Sequence, residues 1–253
     1  MSGAPAASQS VSVLYAGSLV TPMEGAVKTA LGARGIDFQG QPGGSKELAN
    51  LIRAGVRNPD VFISVDPKIV ASLGDKVASA TTFAGTSLGI AWAPQSRFAA
   101  LFDSVLARKA TLSQALQQPG IKFGRTDPQL DPKGAYTVEA VTTWLGHDGA
   151  AKIIGQPENP AQIFPEEDLL ARVDTGQIDA GFFYQTEAIA RGYHFVPLPG
   201  AAAMTDRITY TLAVMKAAPH TQTAKAFADF ILTGEGRTIL ERAGLTYRTP
   251  LPP

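Results

Sequence analysis

Cysteine is absent from this chain of 253 residues, which excludes disulfides, thiol catalysis and cysteine-ligated metals. Neither sign of charge is in excess, because 22 Lys and Arg residues balance 22 Asp and Glu residues. Nothing in the charge therefore favours nucleic acid or an anionic membrane as a partner. No apolar run approaches the roughly 20 residues that cross a bilayer. The three histidines are scattered, without the spacing of a zinc site.

Strand-like and helix-like segments alternate along the chain, and this alternation predicts an α/β fold with largely parallel sheets. The hydrophobic content of 45% suits one large domain or two of ordinary size. The predicted strands are 12–15, 36–39, 61–64, 88–93, 122–124, 180–184, 195–198 and 209–215. The predicted helices are 22–31, 46–54, 67–73, 112–117, 135–145, 165–174, 185–191, 221–232 and 234–243.

The segment 13–24 combines a strand, a tight turn and a helix start. The turn contains Gly17 and Ser18, and Thr21 then precedes Pro22 with Glu24 three residues after it. This spacing predicts a capping box with Thr21 at the N-cap. Backbone N–H groups at such a helix start, with the Ser18 hydroxyl, favour an anion. Any strand–turn–helix unit also needs a capped helix, so a purely structural interpretation stays open.

A second turn repeats this chemistry after the predicted strand 36–39. Gly43 and Gly44 precede Ser45, which takes the predicted N-cap position of the helix 46–54. Two glycine-plus-serine turns at two helix starts can form a two-sided cradle for an oxyanion. Neither turn fits the phosphate-loop pattern or the dinucleotide-binding glycine pattern.

Two acids and a tyrosine each have a structural and a functional interpretation. Asp131 precedes a proline, so it is either a turn aspartate or a ligand group. Glu166 lies in the first turn of the helix 165–174, where it complements the helix dipole or contacts a ligand. Tyr184 ends the strand 180–184, so its hydroxyl either bonds locally or faces a ligand at the carboxyl end of the sheet.

An ordered set of motifs resembles the periplasmic molybdate/tungstate-binding proteins of ABC importers. The resemblance covers the chain from about Val11 to Leu251. Its motifs are Ala16-Gly17-Ser18-Leu19, Gly44-Ser45, Phe123-Gly124-Arg125-Thr126-Asp127-Pro128 with Asp131-Pro132-Lys133-Gly134, and Asp174-Thr175-Gly176-Gln177-Ile178-Asp179-Ala180-Gly181-Phe182-Phe183-Tyr184. Asp131 and Glu166 stand where the tungstate/molybdate branch of that family has carboxylate ligands.

The resemblance implies a two-lobed periplasmic binding protein fold of type II, with lobe 1 at 1–83 and 207–253 and lobe 2 at 84–206. The chain is expected to cross near 81–85 and 200–206, and the two crossings to form a hinge. The resemblance further implies a non-enzymatic, monomeric protein without a cofactor, which captures molybdate or tungstate for an ABC permease. Met1 to Ser10 lacks a basic-plus-apolar signal, and we expect a tail left after signal removal, with an added initiator Met. The expected location is the periplasm or the extracytoplasmic face of the membrane.

The resemblance also implies roles for individual residues. Ser18 and Ser45 offer hydroxyl and backbone N–H groups from lobe 1, and Asp131, the amides through Lys133, Glu166 and Tyr184 act from lobe 2. Two carboxylates would repel a dianion. Three arrangements would avoid this repulsion. The carboxylates could be protonated, they could point away as helix-dipole partners, or they could coordinate the Mo or W centre. We favour coordination by Asp131 and Glu166, because sulfur in sulfate cannot expand its coordination in that way.

Two alternatives stay open. The first is a receptor for another oxyanion or for ferric iron; similar iron receptors often use paired tyrosines, whereas Phe183 lies beside Tyr184 here. The second is a carboxylate-based hydrolase with Asp131 and Glu166 as a general acid/base pair. The sequence offers this second alternative no nucleophile motif and no cofactor loop.

Overall fold

The computed structural model describes residues 9–129, 131–156 and 159–248. The chain divides into two compact units. One comprises the residues up to Gly85 together with those from Arg207 onward, and the other comprises Thr86–Asp206. The sequence-based boundaries lie after residues 83 and 206. Of the predicted tail, residues 1–8 lie outside the described residues, and Gln9 and Ser10 already belong to a strand.

The described residues form two sheets, one in each unit. The strands are β1 (Gln9–Ala16), β2 (Ile36–Gly43), β3 (Val61–Ser64), β4 (Val77–Gly85), β5 (Leu88–Trp92), β6 (Phe123–Gly124), β7 (Ala180–Tyr184), β8 (His194–Pro197), β9 (Thr209–Met215) and β10 (Thr246–Tyr247). The first sheet has the order β10-β4-β9-β3-β1-β2, and the second has the order β6-β7-β5-β8.

Helices connect these strands. The first, α1, is the run 17–32, made of the 3-10 turn Gly17–Leu19, α-helical Val20–Pro22, π-helical Met23–Val27 and α-helical Lys28–Gly32. The others are α2 (Ser45–Arg53), α3 (Pro67–Ala71), α4 (Ala99–Leu106), α5 (Leu112–Leu116), α6 (Pro132–Ile154), α7 (Glu166–Asp174), α8 (Gln185–Arg191), α9 (Thr221–Leu232) and α10 (Glu235–Arg242). Gly146 interrupts α6 with φ 70° and ψ 174°. Within the residues that the structure describes, every helix falls short of the length and apolar character that a membrane crossing needs.

Both sheets are mixed, which corrects the prediction of largely parallel sheets. In the first sheet β1 pairs in parallel with β2 and β3, but β9 lies antiparallel between β3 and β4. In the second sheet β6 and β7 are parallel, but β5 lies antiparallel between β7 and β8. The strands β5 and β9 are the first ones after the two division points. The strand that enters each unit therefore runs against its neighbours, and strand–helix alternation along the sequence does not reveal this reversal.

Three elements were not predicted, namely β4, β10 and α4. The strand β4 covers the segment 81–85, where the resemblance implied a crossing. Residues 78–80 are exposed and only 83–85 are buried, so β4 carries no alternating apolar pattern. Its backbone pairing with β9 and β10 holds it in the sheet.

Each unit has its own apolar core. In the first unit α2 and α3 pack on the sheet through Leu14, Leu48, Ile52, Phe62, Ile69, Val70, Leu73 and Met215. In the second unit α7 and α8 pack on the sheet through Ala91, Leu169, Val173, Ile178, Phe183, Ala188 and Tyr193. Of these helices, α2, α3 and α8 start just beyond the carboxyl ends of β2, β3 and β7, which fixes the position of their first turns.

Candidate functional site

The two glycine–serine turns lie side by side at the carboxyl ends of β1 and β2 in the first sheet. Ala16 at the end of β1 pairs in parallel with Gly43 at the end of β2. Ser18 and Ser45 each lie two residues beyond this pair. The carboxyl ends of strands are where ligands bind in α/β sheets. The structure therefore brings the two predicted serines of the first unit to one edge.

Ser18 lies inside the first turn of α1. Helical structure begins at Gly17, and the N-cap residue is Ala16, which makes no side-chain cap bond. The predicted capping box at Thr21 was therefore wrong, because the chain is already helical four residues earlier. The unbonded N–H groups of this helix start belong to the turn that contains Ser18.

Tyr210 contacts Ser18 and was not predicted. The Ser18 Oγ lies 2.8 Å from the Tyr210 hydroxyl oxygen, and Tyr210 is fully buried near the start of β9. The antiparallel direction of β9 brings its amino end to the carboxyl end of β3. A phenol is a stronger hydrogen-bond donor than an aliphatic hydroxyl. We therefore expect Tyr210 to donate to Ser18, which leaves the Ser18 proton for another acceptor.

Ser45 is the first residue of α2, and Gly44 is the N-cap. The predicted N-cap role of Ser45 was therefore wrong by one position. The buried Ser45 Oγ instead accepts a hydrogen bond from the Val65 backbone N–H at 3.2 Å. Because a backbone N–H can only donate, the Ser45 hydroxyl keeps its own proton for another acceptor. Ser18 and Ser45 are thus both available as donors.

In the second unit, Asp131 caps α6. Its Oδ1 accepts the backbone N–H of Lys133 at 2.8 Å, and Pro132 takes the first helical position. Gly134 follows in close contact with the preceding loop, because a Cβ there would lie 2.4–2.5 Å from backbone atoms of Asp127 and Thr126. The structural interpretation of Asp131 is observed, and its role as a ligand group stays a prediction.

The Lys133 ammonium lies among the first turns of three helices. Its side chain is 3% exposed. The Nζ atom is 3.0 Å from both carboxylate oxygens of Glu187, in the first turn of α8, and forms an ion pair with Glu166, the first residue of α7. It also lies 5.2 Å from the ring centroid of Phe183 and 5.7 Å from that of Tyr184. Lys133, Glu166 and Tyr184 are thus brought together, as predicted site residues of the second unit.

Glu187 completes this cluster and was not predicted. Besides binding Lys133, its Oε2 accepts the backbone N–H of Tyr184 at 2.8 Å. Tyr184 itself is buried at the end of β7. A glutamate three residues beyond a strand-ending tyrosine, at the third position of a helix, was the available sequence signal.

The charges of the cluster perturb one another. Burial disfavours the ammonium of Lys133, but the carboxylates of Glu166, Glu187 and Asp131 outweigh it and raise the pKa of Lys133 above its usual value. Burial and the charge of Glu166 raise the pKa of Glu187 well above that of an ordinary glutamate. In the part of the chain that the structure describes, no group of three or more His, Cys, Asp or Glu residues is arranged to hold a metal ion. Coordination of Mo or W would therefore involve only the two carboxylates of Asp131 and Glu166, and it stays a prediction.

A family described as bacterial extracellular solute-binding protein matches residues 11–246. The chain belongs to this family. A relative from Haloferax volcanii, provisionally named an ABC transporter molybdenum-binding protein, is 30% identical over 262 aligned positions. The alignment covers 96% of this chain and 83% of that relative. The prediction of a solute-binding protein rather than an enzyme is confirmed.

Solved structures of similar fold include binding proteins for two oxyanions. The periplasmic molybdate-binding protein of Azotobacter vinelandii has a TM-score of 0.72 and 18% identity, with 96% of this solute-binding protein and 100% of that chain covered. The sulfate-binding protein SubI from Mycobacterium tuberculosis H37Rv has a TM-score of 0.69 and 16% identity, with 94% and 86% covered. The predicted periplasmic binding protein fold is confirmed, and these structures alone do not choose a ligand.

Proposed function

We propose that this chain binds molybdate or tungstate as the solute of an ABC importer, outside the cytoplasm. The observation that carries the proposal is the pairing of Ala16 with Gly43, which sets Ser18 and Ser45 at neighbouring strand ends. The name of the Haloferax volcanii relative supports a molybdenum-containing ligand. We further propose a monomer that delivers the ion to a membrane permease.

The chemistry of the first unit suits an oxyanion that carries no proton. Ser18 and Ser45 can both donate their hydroxyl protons, and the first turns of α1 and α2 add backbone N–H donors. Molybdate, tungstate and sulfate present only acceptor oxygens. A protonated phosphate would bring a donor of its own to a set made mainly of donors, so it would form fewer favourable hydrogen bonds there.

The second unit supplies the predicted ligand groups Asp131, Lys133, Glu166 and Tyr184. Carboxylates beside a dianion are unfavourable unless they gain a bond or a compensating charge. Direct coordination of Mo or W by Asp131 and Glu166 would supply that bond. It would also disfavour sulfate, whose sulfur does not accept further oxygen ligands.

Titration calorimetry with molybdate, tungstate, sulfate, phosphate and ferric citrate tests the proposal. We expect molybdate and tungstate to bind and sulfate to bind much more weakly. Binding to the folded state alone should raise its stability by about 2.7 kcal/mol at a hundredfold excess over Kd. X-ray absorption of the tungstate complex should show a coordination number above that of the tetrahedral ion.

Each outcome separates the alternatives. Equal binding of sulfate, with a tetrahedral tungsten centre, would contradict carboxylate coordination and leave a general oxyanion receptor. Binding of ferric citrate alone would identify an iron receptor instead. No heat with any of these ligands, together with no increase in stability at a hundredfold excess, would contradict the proposed function.

A further inference from the structure

Glu187 and Glu166 hold the Lys133 ammonium from different positions. Glu187 is 11% exposed, and both of its oxygens lie 3.0 Å from Nζ. Its Oε2 is also fixed by the Tyr184 backbone N–H. Glu166 is 29% exposed and contacts Nζ through Oε2. Glu187 therefore anchors the ammonium inside the unit, and Glu166 presents a carboxylate on the more open side.

The backbone at Lys133 is fixed from both directions. Pro132 sets the first helical position, and Gly134 packs too closely on the preceding loop to carry a side chain. The Lys133 carbonyl accepts the hydroxyl of the buried Thr137 at 2.8 Å. A buried ammonium without partners is strongly unfavourable. Lys133 therefore stays in the cluster, and its charge is a permanent part of this region.

We propose that Lys133 is a specificity-determining residue, whose ammonium offsets the charge of Glu166 and lets this carboxylate approach a bound dianion. The inference rests on the proposed function and deepens it. Without the ammonium, Glu166 would repel every dianion at contact distance. With it, Glu166 can contact the ion through a carboxylate whose charge the Lys133 ammonium offsets.

A double-mutant cycle between Lys133→Met and Glu166→Gln tests this role, read by calorimetry with tungstate and with sulfate. Met matches the length of the lysine stem and lacks its charge. We expect Lys133→Met to weaken tungstate binding about tenfold, which is the coupling of two contacting charges. In the Glu166→Gln background the same change should have little further effect, because no charge remains to offset. Lys152→Met, at an exposed position in the last turn of the same helix, is the matched control and should bind like wild type.

Glu187→Gln gives a second test if Lys133→Met fails to fold. The amide oxygen can still accept the Tyr184 N–H, and Glu166 then remains as the ion-pair partner of Lys133. If Lys133 acts through charge, Glu187→Gln should bind tungstate at least as tightly as the wild type. Weaker binding by Glu187→Gln would indicate that the cluster acts only by holding the three helix starts together, and would overturn the proposal.

The outcomes also separate this inference from the proposed function. If the wild type binds neither molybdate nor tungstate, the proposed function fails. If the wild type binds but Lys133→Met weakens affinity equally in the wild-type and Glu166→Gln backgrounds, the proposed function stands and the role of Lys133 is overturned. Melting temperatures of each variant without ligand show whether folding itself has changed.

Discussion

The first unit offers neutral donors at its strand ends, whereas the second offers charges. In the first unit Ser45 accepts the Val65 N–H, and Ser18 is hydrogen-bonded to Tyr210, which we expect to be the donor. Both serines would then keep their protons for a ligand. In the second unit Lys133, Glu166 and Glu187 form an ion cluster at three helix starts. Neutral donors need only one correctly placed partner each, but buried charges need one another.

Under the proposed function, this difference would separate affinity, supplied by the neutral donors, from selectivity, supplied by the charged cluster. Hydroxyl and backbone N–H donors suit any tetrahedral dianion without a proton, so the first unit alone would accept sulfate as readily as molybdate. A carboxylate that is balanced by Lys133 can distinguish an ion whose centre accepts a further oxygen ligand. Four substitutions in the first unit would break or sharpen this comparison.

The largest expected effect is a loss of stability on replacing Asp60, a buried charged residue of the first unit. Asp60 lies just before β3, at the amino end of the strand, and is fully buried. It accepts the backbone N–H groups of Ser12 at 2.8 Å and His220 at 2.6 Å, and the His220 Nδ1 lies 3.0 Å away. Asp60→Asn should lower the free energy of unfolding by about 3 kcal/mol and leave tungstate affinity unchanged, as measured by denaturation and calorimetry.

The shifted pKa of Asp60 determines how its contribution to stability changes with pH. Burial raises the pKa of Asp60, but the bonds from Ser12 and His220 outweigh it, so the pKa is lower than in the unfolded chain. Its stabilisation is therefore present above about pH 4 and is lost as pH falls through the folded pKa. Asp66→Asn, at the N-cap of α3, is the control and should change little, since Asn and Asp cap equally well.

A functional role for Asp60 would contradict the comparison. The Ser10 Oγ lies 3.2 Å from the His220 Nε2, so Ser10, His220 and Asp60 follow the order of a nucleophilic triad. We expect these residues to tie the start of β1 to the starts of β3 and α9. Hydrolysis of an activated ester that is lost in Ser10→Ala would contradict that expectation.

Next in size is the loss of the neutral donors. Ser18→Ala and Ser45→Ala should each lower the binding free energy by about 1.5–3 kcal/mol, the contribution of a hydrogen bond to a charged acceptor. The loss should be the same for tungstate and for sulfate. Ser45→Ala should also lower stability by about 1 kcal/mol, because the Val65 N–H loses its acceptor. Calorimetry with both ions measures the first effect, and denaturant unfolding measures the second.

The matched control is Ser79→Ala, at an exposed position of β4, which should bind both ions like the wild type. A loss confined to tungstate in either site variant would show that the first unit also selects the ion. That result would contradict the assignment of affinity to the first unit and selectivity to the second.

The smallest effect is expected for Tyr210→Phe. The change removes the hydroxyl that orients Ser18 and should lower the binding free energy by about 1 kcal/mol. In the Ser18→Ala background it should cause no further loss of affinity. Tyr193→Phe removes a buried hydroxyl of the second unit that donates to Asp174 at 2.6 Å. It should affect stability but not calorimetric affinity. Unchanged affinity in Tyr210→Phe would show that Ser18 needs no orienting partner.

The sequence was most informative where local pattern and tertiary structure agree. The bounds of β3, β7, β9, α8 and α9 match their predicted ranges, because short apolar runs and amphipathic helices are local features. The edge that holds Ser18 and Ser45 was predicted from two similar turns. Both supposed N-caps failed, since helix ends depend on single hydrogen bonds that the sequence does not determine.

What the sequence did not reveal depends on contacts between distant residues. Tyr210 reaches Ser18 only because β9 enters the first sheet in reverse. Lys133 was predicted through its backbone amide, and only the packing of α6, α7 and α8 shows that its ammonium meets Glu166 and Glu187. Such pairings have no signal in composition or periodicity.

The pairing of β4 with β9 has a consequence for how the chain is made. Gly85 and Thr209 face each other across these adjacent strands, so the second unit is inserted at what would otherwise be a hairpin turn. During synthesis the first sheet cannot be completed until β9 has left the ribosome, whereas the second unit is already continuous and can fold earlier. A short turn in place of the insertion would join β4 directly to β9 and give the serine-bearing half as a separate protein.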